Sequence, residues 1–126
     1  MTVVLDASAM LALIFGERGA ELVADLSRNG TISAVNFSEV ITRILTISDD
    51  ANVADEAVAR LEIDVVPFDA EAARQVAYLR GPTKHLGLSL GDRACLALGM
   101  ATQSLILTAD KEWAKLDLGI DIRLIR

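Results

Sequence analysis

The chain has 126 residues, 52% of them hydrophobic and 4% aromatic, with a formal net charge of −6. That length suits one domain with a real apolar core, and the apolar content, spread along the whole chain, excludes a disordered protein. The acidic balance argues against a broad basic face that wraps nucleic acid, and the single cysteine, Cys95, excludes an internal disulfide or a thiolate metal cluster.

In chain order, Val3–Leu5 reads as a buried strand that Asp6 ends. Ala9–Phe15 reads as a helix, Gly16 to Gly19 as a turn, and Ala20–Leu26 as a second short helix. Asn29-Gly30 is a turn signal, followed by a brief strand at Thr31–Ser33. Val35–Ile47 has helical period, with Phe37, Val40, Ile41, Ile44 and Leu45 on one face and Asn36, Glu39 and Arg43 on another. Asn52–Leu61 is a further helix, and Asp64–Pro67 a short strand. Asp69 is placed to cap a helix over Ala70–Leu79. Arg80 to Gly87 is the clearest loop and carries the basic cluster Arg80, Lys84 and His85. Ser89 caps a helix reaching Met100, Ser104–Leu107 is a strand, Lys111–Leu116 a short helix, and Asp121–Ile125 a terminal strand. Strands alternate with helices, which implies βαβ units, an α/β fold and a mostly parallel sheet. No segment approaches the roughly 18 apolar residues that cross a bilayer, and the opening MTVVLDAS has no basic run before a long apolar core. A cytoplasmic protein of one domain, residues 1–126, is expected.

In an open parallel sheet, ligands bind beyond the carboxyl ends of the strands. Asp6 follows the first strand, Asp110 closely follows the strand ending at Leu107, and Asp92 and Glu39 lie in the early turns of their helices. All four can face one crevice. Carboxylates so grouped repel unless a counter-charge joins them. Oxygen ligands suit magnesium or manganese better than zinc. Such an ion activates water and stabilises a leaving oxygen, and the natural substrate is a phosphodiester. Each residue also has a plainer role. Asp6 and Asp110 suit helix caps, Asp92 suits a capping box with Ser89, and Glu39 suits a solvated surface. Composition and spacing leave both readings open.

The motifs resemble the PIN-domain ribonucleases, and among them the VapC-type toxins of bacterial toxin–antitoxin pairs. VVLDASAMLALIFGE is similar to the family's opening, with Asp6 and Ser8. SAVNFSEV is similar to the second motif, with Asn36 and Glu39. LSLGDRACLALG resembles the third, with Asp92, and ILTADKEW the fourth, with Thr108 and Asp110. DIRLIR resembles the family's final strand. The resemblance spans essentially the whole chain in order. It implies a three-layer α/β/α sandwich with a sheet of about five mostly parallel strands. It implies an endoribonuclease dependent on Mg2+ or Mn2+, with a structured RNA such as transfer RNA as substrate, a homodimer, and a cognate antitoxin.

In that reading Asp6 and Asp92 ligate the main metal, and Glu39 and Asp110 complete the site directly or through water. Cleavage leaves a 5'-phosphate and a 3'-hydroxyl. Ser8 and Thr108 orient carboxylates, and Asn36 bonds a ligand carboxylate or the substrate phosphate. Arg93 and Arg43 are within reach of a phosphate, or serve ion pairs at the surface. Lys84 and His85 contact RNA or are simply solvated. Trp113 covers the core rather than stacking on a base, and Cys95 is a buried small hydrophobe. The nearly continuous apolar run Met10–Phe15 suits core packing, a dimer or an antitoxin groove. The alternative function is a PIN-like RNA- or protein-binding module without activity. A nucleotide-binding loop is missing after the first strand, and Ser8 stands where a covalent aspartyl phosphatase carries a second aspartate.

Overall fold

In the computed structural model, which describes residues 2–126, the chain folds around a five-stranded sheet. The strands are β1 (Val3–Leu5), β2 (Gly30–Ser33), β3 (Asp64–Val66), β4 (Leu105–Thr108) and β5 (Ile122–Leu124). Their order is β3-β2-β1-β4-β5, and every neighbouring pair is parallel. The helices are α1 (Ala7–Phe15), α2 (Ala20–Leu26), α3 (Ala34–Leu45), α4 (Ala51–Ala59), α5 (Ala70–Tyr78) and α6 (Leu90–Thr102). No helix among the described residues is long and apolar enough to cross a membrane.

The side-chain alternation of the central strands divides the core into two halves. Val3 and Leu5 of β1, with Leu107 of β4, pack against Ala9, Met10, Val23, Val40, Ile44 and Ala54. Val4 and Ile106 point the other way, into Val76, Leu79, Cys95, Leu96 and Trp113. Helices therefore cover both faces, and the result is a three-layer α/β/α sandwich. Cys95 and Trp113 are fully within the core, so Trp113 offers no exposed ring for base stacking.

The strand order creates the position that matters for function. The chain builds outward from β1 through β2 to β3, then returns to add β4 and β5 on the other side. The direction of winding thus reverses between β1 and β4, and the ends of these strands open a crevice suited to ligands. Leu5 pairs with Leu107, so Asp6 and Thr108 emerge side by side. The Asp6 amide still donates to the Leu107 carbonyl at 3.1 Å.

Several boundaries differ from those expected. The fourth strand runs Leu105–Thr108 rather than from Ser104, because Thr108 continues the pairing with β5. Gly30 begins β2, and the turn closes on Asn29 in the left-handed region. The third helix ends at Leu45, two residues early, and β3 stops before Pro67. The first helix starts at Ala7 because Asp6 caps it. The Arg80–Gly87 loop contains a 3-10 turn at Lys84–Leu86, and the segment after Asp110 is a 3-10 turn, Lys111–Lys115, rather than an α-helix. Asn36, expected on the polar face of α3, is buried in line with Val40 and Ile44.

Close approach of α6 to the sheet sets the height of its N-terminus over the crevice. At Gly99 a Cβ would stand 2.6 Å from Ile106 Cγ1 and still nearer the Ile106 Cδ1. Gly99→Ala is therefore expected to destabilise the fold by about 1–2 kcal/mol. Overpacking of a core costs about 1–3 kcal/mol, and the better helix propensity of alanine returns no more than about 1 kcal/mol. A fall in the urea midpoint checks this; a rise would show that the helix has room to move.

Candidate active site

Asp6 is held by three donors from two elements. Its backbone is extended, and its side chain caps α1 by accepting from the Ala9 amide at 2.8 Å. The Ser8 hydroxyl donates to the same oxygen, Oδ1, at 2.6 Å. The Thr108 hydroxyl, from the end of β4, donates to Oδ2. These two hydroxyls are themselves fixed by the β4 side of the crevice. Ser8 Oγ accepts from the Ala109 amide at 2.9 Å, and Thr108 Oγ1 accepts from the Asp110 amide at 3.0 Å. Ser8 and Thr108 thus orient the carboxylate, and Thr108 ties Asp110 beside Asp6.

The charged form of Asp6 is expensive in this place. Only 7% of the residue is exposed. Burial raises its pKa above the usual aspartate value, the bonds from Ser8, Thr108 and the Ala9 amide pull it down, and the negative charge of Asp92 pushes it up again. Asp92 lies at the third position of α6. Its carboxylate accepts from the Ser89 amide at 3.0 Å, while Ser89 Oγ accepts from the Asp92 amide at 3.1 Å. This is the capping box expected from the sequence.

Glu39 reaches the same helix start from α3. The Asn36 amide nitrogen Nδ2 donates to Glu39 Oε1 at 2.8 Å and to the Gly91 carbonyl at 2.9 Å. A Cβ at Gly91 would lie only 2.5 Å from Glu39 Oε1, so the carboxylate rests directly on that glycine. Sequence reading did not single out Gly91. Its signal was a glycine inside the first turn of a helix, where glycine is unfavourable unless space is needed. Beneath the group lies Cys95. Its thiol is pushed well above its usual pKa by burial and then by the charges of Asp6, Asp92 and Glu39. Those three carboxylates therefore all lie within electrostatic reach of Cys95.

Asp110 is the fourth. Its Oδ1 caps the following turn by accepting from the Glu112 amide at 3.0 Å. The two arginines do not join the carboxylates. Arg93 Nη1 donates to the Val76 carbonyl of α5 at 2.9 Å, and Arg43 Nη1 donates to Thr46 Oγ1 at 3.0 Å. Lys84 and His85 are exposed on their 3-10 turn.

The donor set suits a hard cation in its chemistry. It offers carboxylate oxygens only, and among the described residues no Lys, Arg or His forms an ion pair with Asp6, Glu39, Asp92 or Asp110; the salt bridges join Arg74 to Glu71, Lys115 to Glu112 and Arg126 to Glu17. The buried Asn36 Oδ1 has no hydrogen-bond donor either. Yet no group of three or more His, Cys, Asp or Glu side chains among the described residues is gathered closely enough to hold an ion. Each of the four carboxylates accepts at least one hydrogen bond from within the chain.

Residues 3–118 match the family model described as PIN domain. A search of curated proteins finds no match. Among solved structures, the chain is similar to a toxin–antitoxin complex from Klebsiella pneumoniae, with 18% identity, a TM-score of 0.77 and 98% of each chain covered. It is similar to VapBC2 from Rickettsia felis, bound to a DNA fragment from its promoter, with 14% identity, a TM-score of 0.75 and 98% of each chain covered. It is also similar to VapC20 of Mycobacterium tuberculosis, a toxin that cleaves the sarcin–ricin loop, with 16% identity, a TM-score of 0.75, and 90% of this chain and 93% of that one covered.

The raised pKa of Asp6 has a consequence for stability with a definite sign. The folded state binds this proton more tightly than the unfolded state, so ionisation of Asp6 opposes folding above its raised pKa. The penalty fades as the pH falls from the raised pKa to the ordinary aspartate value, below which both states are protonated. In chelator, Asp6→Asn is expected to melt at or above the wild-type temperature at pH 7, with the advantage shrinking on acidification. Thermal unfolding between pH 7 and pH 4 checks this; a large loss of stability at pH 7 would mean that the hydrogen bonds to Asp6 outweigh its burial.

Proposed function

The chain belongs to the PIN-domain family, and we propose that it is a divalent-metal-dependent endoribonuclease acting as the toxin of a toxin–antitoxin pair. The observation that carries this reading is that the buried Asp6 faces the negative charge of Asp92 at the start of α6, where Glu39 also rests on Gly91, with no cationic side chain among the described residues paired to them. The charges of Asp6 and Asp92 repel, and a hard cation offsets that repulsion.

Asp6 and Asp92 would hold the ion, Mg2+ or Mn2+, with Glu39 and Asp110 completing its surroundings directly or through water. Bound there, the ion supplies Lewis acidity toward a phosphodiester. The protein's own groups do the placing. Ser8, Thr108 and the Ala9 amide offset part of the cost of ionising the buried Asp6 by donating to both of its oxygens. Asn36 holds Glu39 against the start of α6. Cap bonds already engage Asp92 Oδ2 and Asp110 Oδ1, so an ion drawing on those oxygens would compete with the caps. The expected outcome is hydrolysis of RNA to a 5'-phosphate and a 3'-hydroxyl. With an acidic chain, substrate affinity rests on the ion and on local basic residues, for which Arg43, Arg93, Lys84 and His85 are the candidates. Arg93 would have to leave Val76 to reach a phosphate.

Fold likeness to toxin–antitoxin proteins supports a protein antitoxin as partner; the homodimer rests on the family resemblance of the sequence alone. A binding module without activity is the second reading, and the absence of a ready three-residue cage favours it.

Cleavage of total cellular RNA by the purified, antitoxin-free protein decides between them. Activity is expected in manganese and in magnesium, none in chelator, and a loss of more than about 100-fold in Asp6→Asn and Asp92→Asn, since even outer groups of a metal site contribute about 10–100-fold. A folded protein that binds manganese but cleaves no RNA, transfer RNA included, would support the binding module instead.

A further inference from the structure

Gly91 occupies the second position of α6, yet its backbone gives no reason for glycine. It has no positive φ, so any L-residue fits the backbone there, and glycine weakens a helix relative to alanine. The reason lies in the space beside its Cα. A Cβ at this position would stand 2.5 Å from Glu39 Oε1 and 2.8 Å from both Cδ and Oε2. The contact differs in kind from that at Gly99, where the obstacle is the apolar side chain of Ile106. At Gly91 the nearest neighbours are the three atoms of one carboxylate.

Asn36 closes the other side. Its Nδ2 donates to both Glu39 Oε1 and the Gly91 carbonyl, so its two amide hydrogens are spent on two acceptors. The opposite orientation would set Oδ1 against those same acceptors, which fixes the amide even though Oδ1 is left buried without a donor. Only 2% of Asn36 is exposed, so this amide is a rigid wall. Glu39 is bonded through Oε1, and among the described residues its Oε2 has no protein partner.

We propose that Gly91 and Asn36 are positioning residues that form a socket for the Glu39 carboxylate, setting its free oxygen beside Asp92 for a divalent ion. The inference rests on the metal-dependent reading above and deepens it. Because the obstructed atoms are the far end of a flexible side chain, filling the socket displaces Glu39 and leaves the fold in place.

The test is Mn2+ binding to the metal-free full chain, measured by calorimetry and by the signal of free Mn2+ in electron paramagnetic resonance, alongside thermal unfolding in chelator. Gly91→Ala is expected to melt near the wild-type temperature and to bind Mn2+ about 10–100-fold more weakly, the range for groups that orient ligands. Adding Glu39→Asp, which draws the carboxylate back from the new Cβ, is expected to recover part of the loss. Wild-type affinity in Gly91→Ala would overturn the socket while leaving the metal reading intact. Weakened binding with no recovery in the double variant would also overturn it. If Gly91→Ala fails to fold, the double variant decides: folded and binding supports the socket, unfolded overturns it. A wild-type protein that binds no Mn2+ at millimolar concentration would overturn the metal reading, and this inference with it.

Discussion

A carboxylate at the end of a central strand must be stabilised where water barely reaches it, and Asp6, at the end of β1, meets that constraint by bonding to α1 and β4. The Ala9 amide belongs to α1, Thr108 to β4, and Ser8 bridges from α1 to the Ala109 amide. Removing water from the carboxylate makes each of these bonds stronger than it would be at the surface. The same bonds hold the point where the winding of the sheet reverses. The buried charge is thus both the liability of the fold and the fastening of its crevice, and hydrogen bonds alone leave its pKa raised. Among the described residues no cationic side chain compensates that charge.

Small residues bring the other carboxylates to that point. Gly99 lets α6 lie close on Ile106, which sets the height of Ser89, Gly91 and Asp92 over the sheet. Gly91 then admits Glu39 from α3, and Asn36 holds the two helices together at that contact. Cys95 fills the space under the group with a small side chain that stays neutral, since burial and the surrounding negative charge both disfavour its thiolate. Packing on one level therefore becomes electrostatics on the next.

Much of this was legible in the sequence because it rests on local patterns. Asp6 stood out as a charge directly after a buried strand, and Ser89 with Asp92 as a capping box before an apolar run. Asp6 caps α1 and Asp92 closes the capping box with Ser89, the plainer roles that the sequence allows them. The alternation of strand and helix was enough for the layered fold. Other features depend on relations that a linear pattern does not contain. Thr108 reads as the polar residue after a strand, yet pairing with β5 and the bond to Asp6 place it inside β4. Asn36 shares helical spacing with Glu39, but the approach of α6 buries it. Gly91 matters through a residue 52 positions earlier in the chain. Which way each carboxylate turns is a contest between caps and charge, and the spacing of Asp6, Glu39, Asp92 and Asp110 does not decide it.

The most direct test of the central idea, that the Asp6 group is built for a cation, is to locate the ion. Crystals grown with manganese and measured at a wavelength where it scatters anomalously would show where it binds. A peak in contact with Asp6 and Asp92 is expected, with Glu39 and Asp110 turned from their present hydrogen bonds toward it or toward its waters. Fully occupied manganese elsewhere on the chain, with no peak at Asp6 and the caps unchanged, would contradict it.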